Sequence, residues 1–263
     1  MSIQDLVIYE QKGRIATITI NRADKANSCN VSMLKAIHES LNQADYDEKV
    51  KCIIIKSTGE RFFSAGYDLK EVTSDPSKAT LIQEWGRKVN ETIVLMKKPV
   101  ITQIQGIAVG FGVLLILASD LRIFADRPKE ELYLRLPEIS ISVFTQTGAT
   151  LLPLLAFGLT YAKNLLFTTD RIGIEELKNI NFPTRIFPLN QIEDETLSFV
   201  KEISNYKTKF LFLLKPMLTI MNKTLIKSWF DLEDECGKIF YEKEKKSMKE
   251  LDNIIKDLYS KYK

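Results

Sequence analysis

Two glycine-bearing junctions hold the residues best placed to do chemistry. One is Phe62-Phe63-Ser64-Ala65-Gly66-Tyr67-Asp68-Leu69-Lys70 and the other is Gly106-Ile107-Ala108-Val109-Gly110-Phe111-Gly112-Val113-Leu114-Leu115, each lying where a β-rich run gives way to a helical pattern. Neither is a nucleotide loop: no Gly-Lys-Ser/Thr follows, and Gly-x-x-x-Gly-x-Gly is not the Gly-x-Gly-x-x-Gly of dinucleotide folds. A single Gly-x-x-x-Gly more often marks close helix packing than a ligand site. Two such junctions together point elsewhere, because glycine at a helix start leaves backbone N–H groups unpaired, and two of them facing one carbonyl oxygen form an oxyanion hole.

The rest of the composition narrows the chemistry further. The 263 residues contain one histidine, His38, so Ser-His-Asp, Cys-His and multi-histidine metal schemes would all have to pass through it. It lies in Met33 to Leu41, where Leu34, Ile37 and Leu41 share one helical face, and it is expected on the open side of that helix. The three cysteines, Cys29, Cys52 and Cys236, are widely spaced without a Cys-x-x-Cys pair, which suits neither a disulfide framework nor a zinc site and suggests a reducing, cytoplasmic setting. Lys plus Arg is 37 against Asp plus Glu 34, a net charge of +3 with the basic residues dispersed, so no nucleic-acid partner is expected. The N-terminus has no signal-peptide pattern, and the longest apolar run, Ile107 to Ala118, is too short to span a bilayer, so no membrane partner is expected either. Carboxylates and backbone amides are left as the candidate catalytic groups.

The elements that must position these groups follow from periodicity. Leu6–Glu10 and Ile15–Ile20 read as a hairpin, Ser32–Ala44 as a helix and Lys51–Lys56 as a strand. Leu81–Met96 reads as a helix, Pro99–Gln105 as a strand, Gly110–Ala118 as an apolar helix and Leu121–Phe124 as a short strand, a repeated ββα rhythm. Gly148–Phe167 is apolar and helical. From Thr196 the chain reads as a helical tail, ending in Leu251, Ile254, Ile255, Leu258 and Tyr262 at helical spacing. No low-complexity linker divides the halves.

These residues resemble the crotonase, or enoyl-CoA hydratase/isomerase, superfamily over nearly the whole chain. Arg22-Ala23-Asp24-Lys25-Ala26-Asn27-Ser28 looks like the family's coenzyme A loop, Phe63 to Glu71 is very close to its Ser-Ala-Gly-x-Asp-Leu-Lys element, and Lys97-Lys98-Pro99-Val100-Ile101 with Gly106 to Asp120 matches its strand and oxyanion helix. The resemblance implies an α/β crotonase-like ββα superhelix over residues 1–195, followed by a helical trimerisation region over 196–263. It places the oxyanion donors on the N–H groups of Tyr67 and Phe111, and coenzyme A contacts on Lys25, Ala26, Ala65, Asp68 and Leu69. It puts Leu114 and Phe144 on the acyl pocket, where bulky Tyr67 and Phe111 would reshape the space.

The catalytic carboxylates depart from the family's usual pair of glutamates. The first position is Leu114, which cannot move a proton; the second is Glu138, in Leu136-Pro137-Glu138-Ile139. Gln146 stands near the position where isomerases of the family carry their base, and Asp126, Glu130 and Glu131 could replace the missing acid only if their segment folds over the pocket. One glutamate suits double-bond isomerisation, in which the same group takes a proton from C2 and returns it at C4. Desolvation by Phe144, Leu114 and Phe111 would raise its pKa towards neutrality. The resemblance therefore implies a Δ3,Δ2-enoyl-CoA isomerase acting on an acyl-CoA substrate, with no metal or redox cofactor, assembled as a homotrimer or a dimer of trimers. The alternatives are a hydratase or another acyl-CoA lyase, or a noncatalytic acyl-CoA-binding homologue, towards which Ser142 and Thr145 also lean. Leu151–Leu155 and Leu211–Leu214 are candidate buried or intersubunit surface. Glu242 to Lys246 reads as a solvated helix face, and the family's C-terminal cations offer Lys243, Lys246 or Lys249 as coenzyme A contacts.

Overall fold

The computed structural model describes residues 6–74, 76–144 and 146–242, together with 253, 256 and 260. The charged run from 243 onward, and the apolar spacing noted at 251–262, lie outside the described residues, as does Thr145.

The expected hairpin forms from β1 (Val7–Lys12) and β2 (Ile15–Ile20), paired antiparallel with Val7 opposite Ile20. Helix α1 (Val31–Tyr46) follows, with Val31, Leu34, Ile37, Leu41 and Ala44 buried at the three- and four-residue spacing of one helical face. The chain then alternates between two sheets. β3 (Cys52–Ser57), β5 (Val100–Ile104), β7 (Leu121–Asp126) and β10 (Arg185–Pro188) extend the hairpin into a six-stranded sheet of order β1-β2-β3-β5-β7-β10, parallel from β2 onward. β4 (Phe62–Ser64), β6 (Ile107–Val109), β8 (Tyr133–Arg135) and β9 (Ile172–Gly173) make a second sheet in that order. The three repeats from β3 to β8 thus each give one strand to each sheet before their helices, whereas the opening hairpin gives both its strands to the large sheet.

The helices of the repeats are α2 (Leu69–Ser74) with α3 (Pro76–Leu95), then α4 (Phe111–Ala118) and α5 (Leu151–Thr168). All eight residues of α4 are buried and apolar, as are all but two polar members of the fully buried β5, so the molecular centre lies where α4 meets the sheets. His38 differs from expectation. It is half-buried between α1 and α3, its ring edge-on to Trp85 with centroids 5.6 Å apart, because α3 packs along α1 and covers that face. Lys98 is fully buried and donates to the Ala44 and Asp47 carbonyls at 2.7 and 2.6 Å, closing the C-terminal end of α1.

Helix α5 is broken at Gly158 (φ 73°, ψ 167°). With mean hydropathy 1.3 over 18 residues, it is long and apolar enough by composition alone to cross a membrane, which the unbroken run at Ile107–Ala118 is not. After α6 (Ile174–Asn179) and β10 comes α7 (Ile192–Ser204), whose buried Ile192, Thr196 and Val200 lie on the large sheet. The expected division at 195/196 therefore falls inside a helix of the core. α8 (Thr208–Thr219) is fixed by buried Lys215, which donates to the Ile93 carbonyl at 2.5 Å and pairs with Asp120 at 2.7 Å. α9 (Lys223–Glu242) folds back over α3 and α5, where Arg87 pairs with Asp231 and Asp234 at 2.6 and 2.5 Å.

Candidate active site

The first junction is held in place by the loop before α1. Ala65 N donates to the Ala26 carbonyl at 2.9 Å, Ser64 Oγ to the Asn27 carbonyl at 2.9 Å, and Cys29 N to the Gly66 carbonyl at 2.7 Å, while Asp68 N donates to the Cys29 carbonyl. This bridge uses the amides and carbonyls on either side of Tyr67 and leaves the Tyr67 N–H without a protein acceptor among the described residues. At the second junction Gly110 N donates to the Arg135 carbonyl, and Gly110 turns with φ 53° to start α4. Phe111 N, the first amide of that helix, is likewise without a protein acceptor among the described residues.

Gly66 brings the two junctions together. At φ +89° it adopts a backbone that other residues avoid, and a Cβ there would lie 2.8 Å from the Val109 carbonyl oxygen and 3.3 Å from Phe111 N. The side chains that follow the contact confirm its closeness: the rings of Tyr67 and Phe111 stack with centroids 4.8 Å apart and planes 17° apart. Two free amides, one at the positive end of a buried helix, thus border a common space.

That space is a cavity of about 110 Å³, bordered by both junctions and by Leu114, Glu138, Phe144 and Gln146. Glu138 opens a short 3-10 turn, Glu138–Ile141, directly after Pro137. Its Oε1 would stand 3.4 Å from a Cβ on Gly110, and its Oε2 is buried without a hydrogen-bond partner among the described residues. Burial pushes its carboxyl up to about 7. The Tyr67 phenol is also pushed up by burial, so it remains a neutral hydroxyl. Glu138 is the only carboxylate among the described residues that border the cavity.

The expected site residues fall into two groups. Tyr67, Phe111, Leu114, Glu138 and Phe144 meet at the cavity, with Ala65 and Leu69 on its border. Of the others expected near coenzyme A, Ala26 is bonded to Ala65, Lys25 is exposed on a 3-10 turn (Ala23–Lys25), and Asp68 is already paired with Arg22 at 2.7 Å. Asp68 therefore ties the loop to the junction. Asp126, Glu130 and Glu131 do not reach the cavity: Glu131 pairs with Arg127 at 2.6 Å, and Asp126 faces Lys178 at 4.0 Å. Among the described residues, no group of three His, Cys, Asp or Glu side chains stands together as metal ligands do.

Two residues of the site carried no expectation from sequence. Tyr67 Oη donates to Thr147 Oγ1 at 3.2 Å, and Asn90 Nδ2 donates to the Thr147 carbonyl at 2.9 Å. The available signal was Gly86, a lone glycine inside the pattern of α3, which marks a close approach from another segment.

Two unpaired amides bordering one space are an arrangement able to polarise a carbonyl oxygen. Residues 10–251 match the family described as enoyl-CoA hydratase/isomerase, and the chain belongs to that family. It is 29% identical over 203 residues to the short-chain-enoyl-CoA hydratase of Clostridium acetobutylicum, covering 76% of this chain and 74% of that protein. It is 30% identical over 200 residues to the crotonyl-CoA hydratase of Syntrophomonas wolfei, covering 75% and 74%. Among solved structures, the enoyl-CoA hydratase of Bacillus halodurans shares the fold with a TM-score of 0.80 at 20% identity, over 88% of this chain and 92% of that one.

Proposed function

We propose that this protein is a Δ3,Δ2-enoyl-CoA isomerase in which Glu138 carries both proton transfers. The thioester oxygen lies between Tyr67 N and Phe111 N. The Glu138 carboxylate takes a proton from C2, the electron pair moves into a dienolate held by the two amides, and the resulting carboxylic acid returns the proton at C4. Double bond and proton change places, Glu138 ends as it began, and neither metal nor redox cofactor enters. A pKa near 7 suits a group that must serve in both forms.

The observation that carries this reading is the single carboxylate among the described residues that border the cavity, with apolar Leu114 on the same lining at the position where the family resemblance puts a hydratase's second acid. The names of the two relatives favour hydration as the second reading, and Gln146, also at the cavity, could hold a water but not ionise. Parallel turnover of trans-3-hexenoyl-CoA and crotonyl-CoA tests the choice. The proposal expects isomerisation of the first, little hydration of the second and loss of isomerisation in Glu138→Gln. Rapid hydration of crotonyl-CoA without isomerisation would replace it with the second reading. Thioester binding without turnover of either would mark a noncatalytic homologue.

The exposed apolar side chains of Phe210, Leu213, Leu214, Met217 and Leu218 on α8, and of Leu155 and Leu159 on α5, support assembly of several copies. We propose a homotrimer, tested by the molar mass of the purified protein in solution.

A further inference from the structure

We propose that the stacked Tyr67–Phe111 pair is the end wall of the acyl pocket and restricts this protein to short acyl thioesters, of the butyryl to hexanoyl class. The inference rests on the acyl-CoA reading above and adds its substrate range. The cavity beside the two free amides holds about 110 Å³, well below the roughly 300 Å³ at which sites for whole ligands begin. Both aromatic side chains spring from the residues whose amides would hold the thioester oxygen, so the wall stands one side chain away from the reacting carbonyl. Their rings are nearly parallel, 17° apart, and close that side of the cavity together.

The wall is also fixed. The Tyr67 hydroxyl sits in a notch of α3 that exists only because residue 86 is glycine: a Cβ there would lie 1.9 Å from the phenolic oxygen. The same hydroxyl donates to Thr147 Oγ1, and fully buried Asn90 holds the Thr147 carbonyl. Thr147 itself takes φ 64°, an uncommon backbone for a threonine that the surrounding bonds maintain. A ring gripped at its tip and stacked on its face does not swing aside to admit a longer chain.

Binding of saturated butyryl-CoA and decanoyl-CoA, measured by calorimetry on the whole protein, tests this without any turnover. The wild type is expected to bind the butyryl thioester at least tenfold more tightly. Tyr67→Ala should narrow that ratio below threefold, and Tyr67→Phe, which keeps the ring, should preserve it. If Tyr67→Ala does not fold, Tyr67→Leu is expected to narrow the ratio in the same direction. Equal binding of both lengths by the wild type, or an unchanged tenfold ratio in the folded Ala or Leu variant, overturns the wall. Failure of the wild type to bind either thioester overturns the acyl-CoA reading along with it.

Discussion

Replacing Glu138 by Gln should change how stability depends on pH, by an amount the structure sets. An ordinary glutamate titrates near 4.5, and burial carries Glu138 to about 7. Below the first value, Glu138 is protonated in both the folded and unfolded chain and makes no difference. Between the two values, the unfolded chain releases the proton while the folded one keeps it, so rising pH favours unfolding. Above about 7 both are ionised, and the folded state bears the full cost of a buried charge with an unpartnered Oε2. Each factor of ten in proton affinity is worth about 1.4 kcal/mol, so the whole change is roughly 3 kcal/mol. Glutamine has the same shape and no charge, and it escapes this cost. Glu233 is pushed up by burial as well, so the difference between variant and wild type is the quantity that isolates Glu138. Urea melts of both proteins across that pH range are the assay. The variant should gain roughly 3 kcal/mol on the wild type as pH rises through the window. A difference that stays constant with pH would show that Glu138 ionises as freely as a surface carboxylate, and the desolvated cavity would have to be abandoned.

Four other outcomes are expected. The kcat/KM for isomerisation should rise with pH through about 7, because only ionised Glu138 can remove the C2 proton, and a profile flat across that region would point to another base. Gly66→Ala should cost about 1–2 kcal/mol from its backbone angle alone, read as a lower Tm, and should cut kcat at least a hundredfold by moving the oxyanion amides. Glu233→Ala should lose at least about 2 kcal/mol, because Gly148 N, Thr150 N and Thr150 Oγ1, which donate to its buried carboxylate at 2.6, 2.9 and 2.5 Å, lose their acceptor; amide exchange at the start of α5 should accelerate. Leu114→Glu should introduce measurable hydration of crotonyl-CoA, since it places a second carboxyl at the cavity; a folded variant with none would mean that cavity shape limits hydration.

The periodicity of the chain revealed the large sheet and its helices, because β2, β3 and β5 are long β-branched runs and α1 shows its buried face at helical spacing. The second sheet was not legible. Its strands are only two or three residues long, too short to show a period, and they pair through backbone brought together by the turns of the superhelix. The two glycine junctions were readable as amide donors because glycine leaves a local mark on the backbone. That Glu138 meets them was legible only through the family resemblance, since by residue type and spacing a glutamate after proline in an irregular loop looks like any surface residue; the fold carries it back to Gly110. The same holds for Tyr67: its residue type suggested bulk, while the notch at Gly86 that fixes the ring lies nineteen positions along the chain on another element.

The most direct test of a single proton shuttle is to follow the proton. Thioester of trans-3-hexenoate carrying deuterium at C2, turned over in ordinary water, should give trans-2-hexenoyl-CoA with part of that deuterium at C4, because buried Glu138 can deliver what it took before it exchanges. Efficient isomerisation with no deuterium at C4 would mean that the proton returned at C4 is not the one taken from C2, whether because a second group delivers it or because Glu138 exchanges first. That result would contradict a shuttle shielded from solvent.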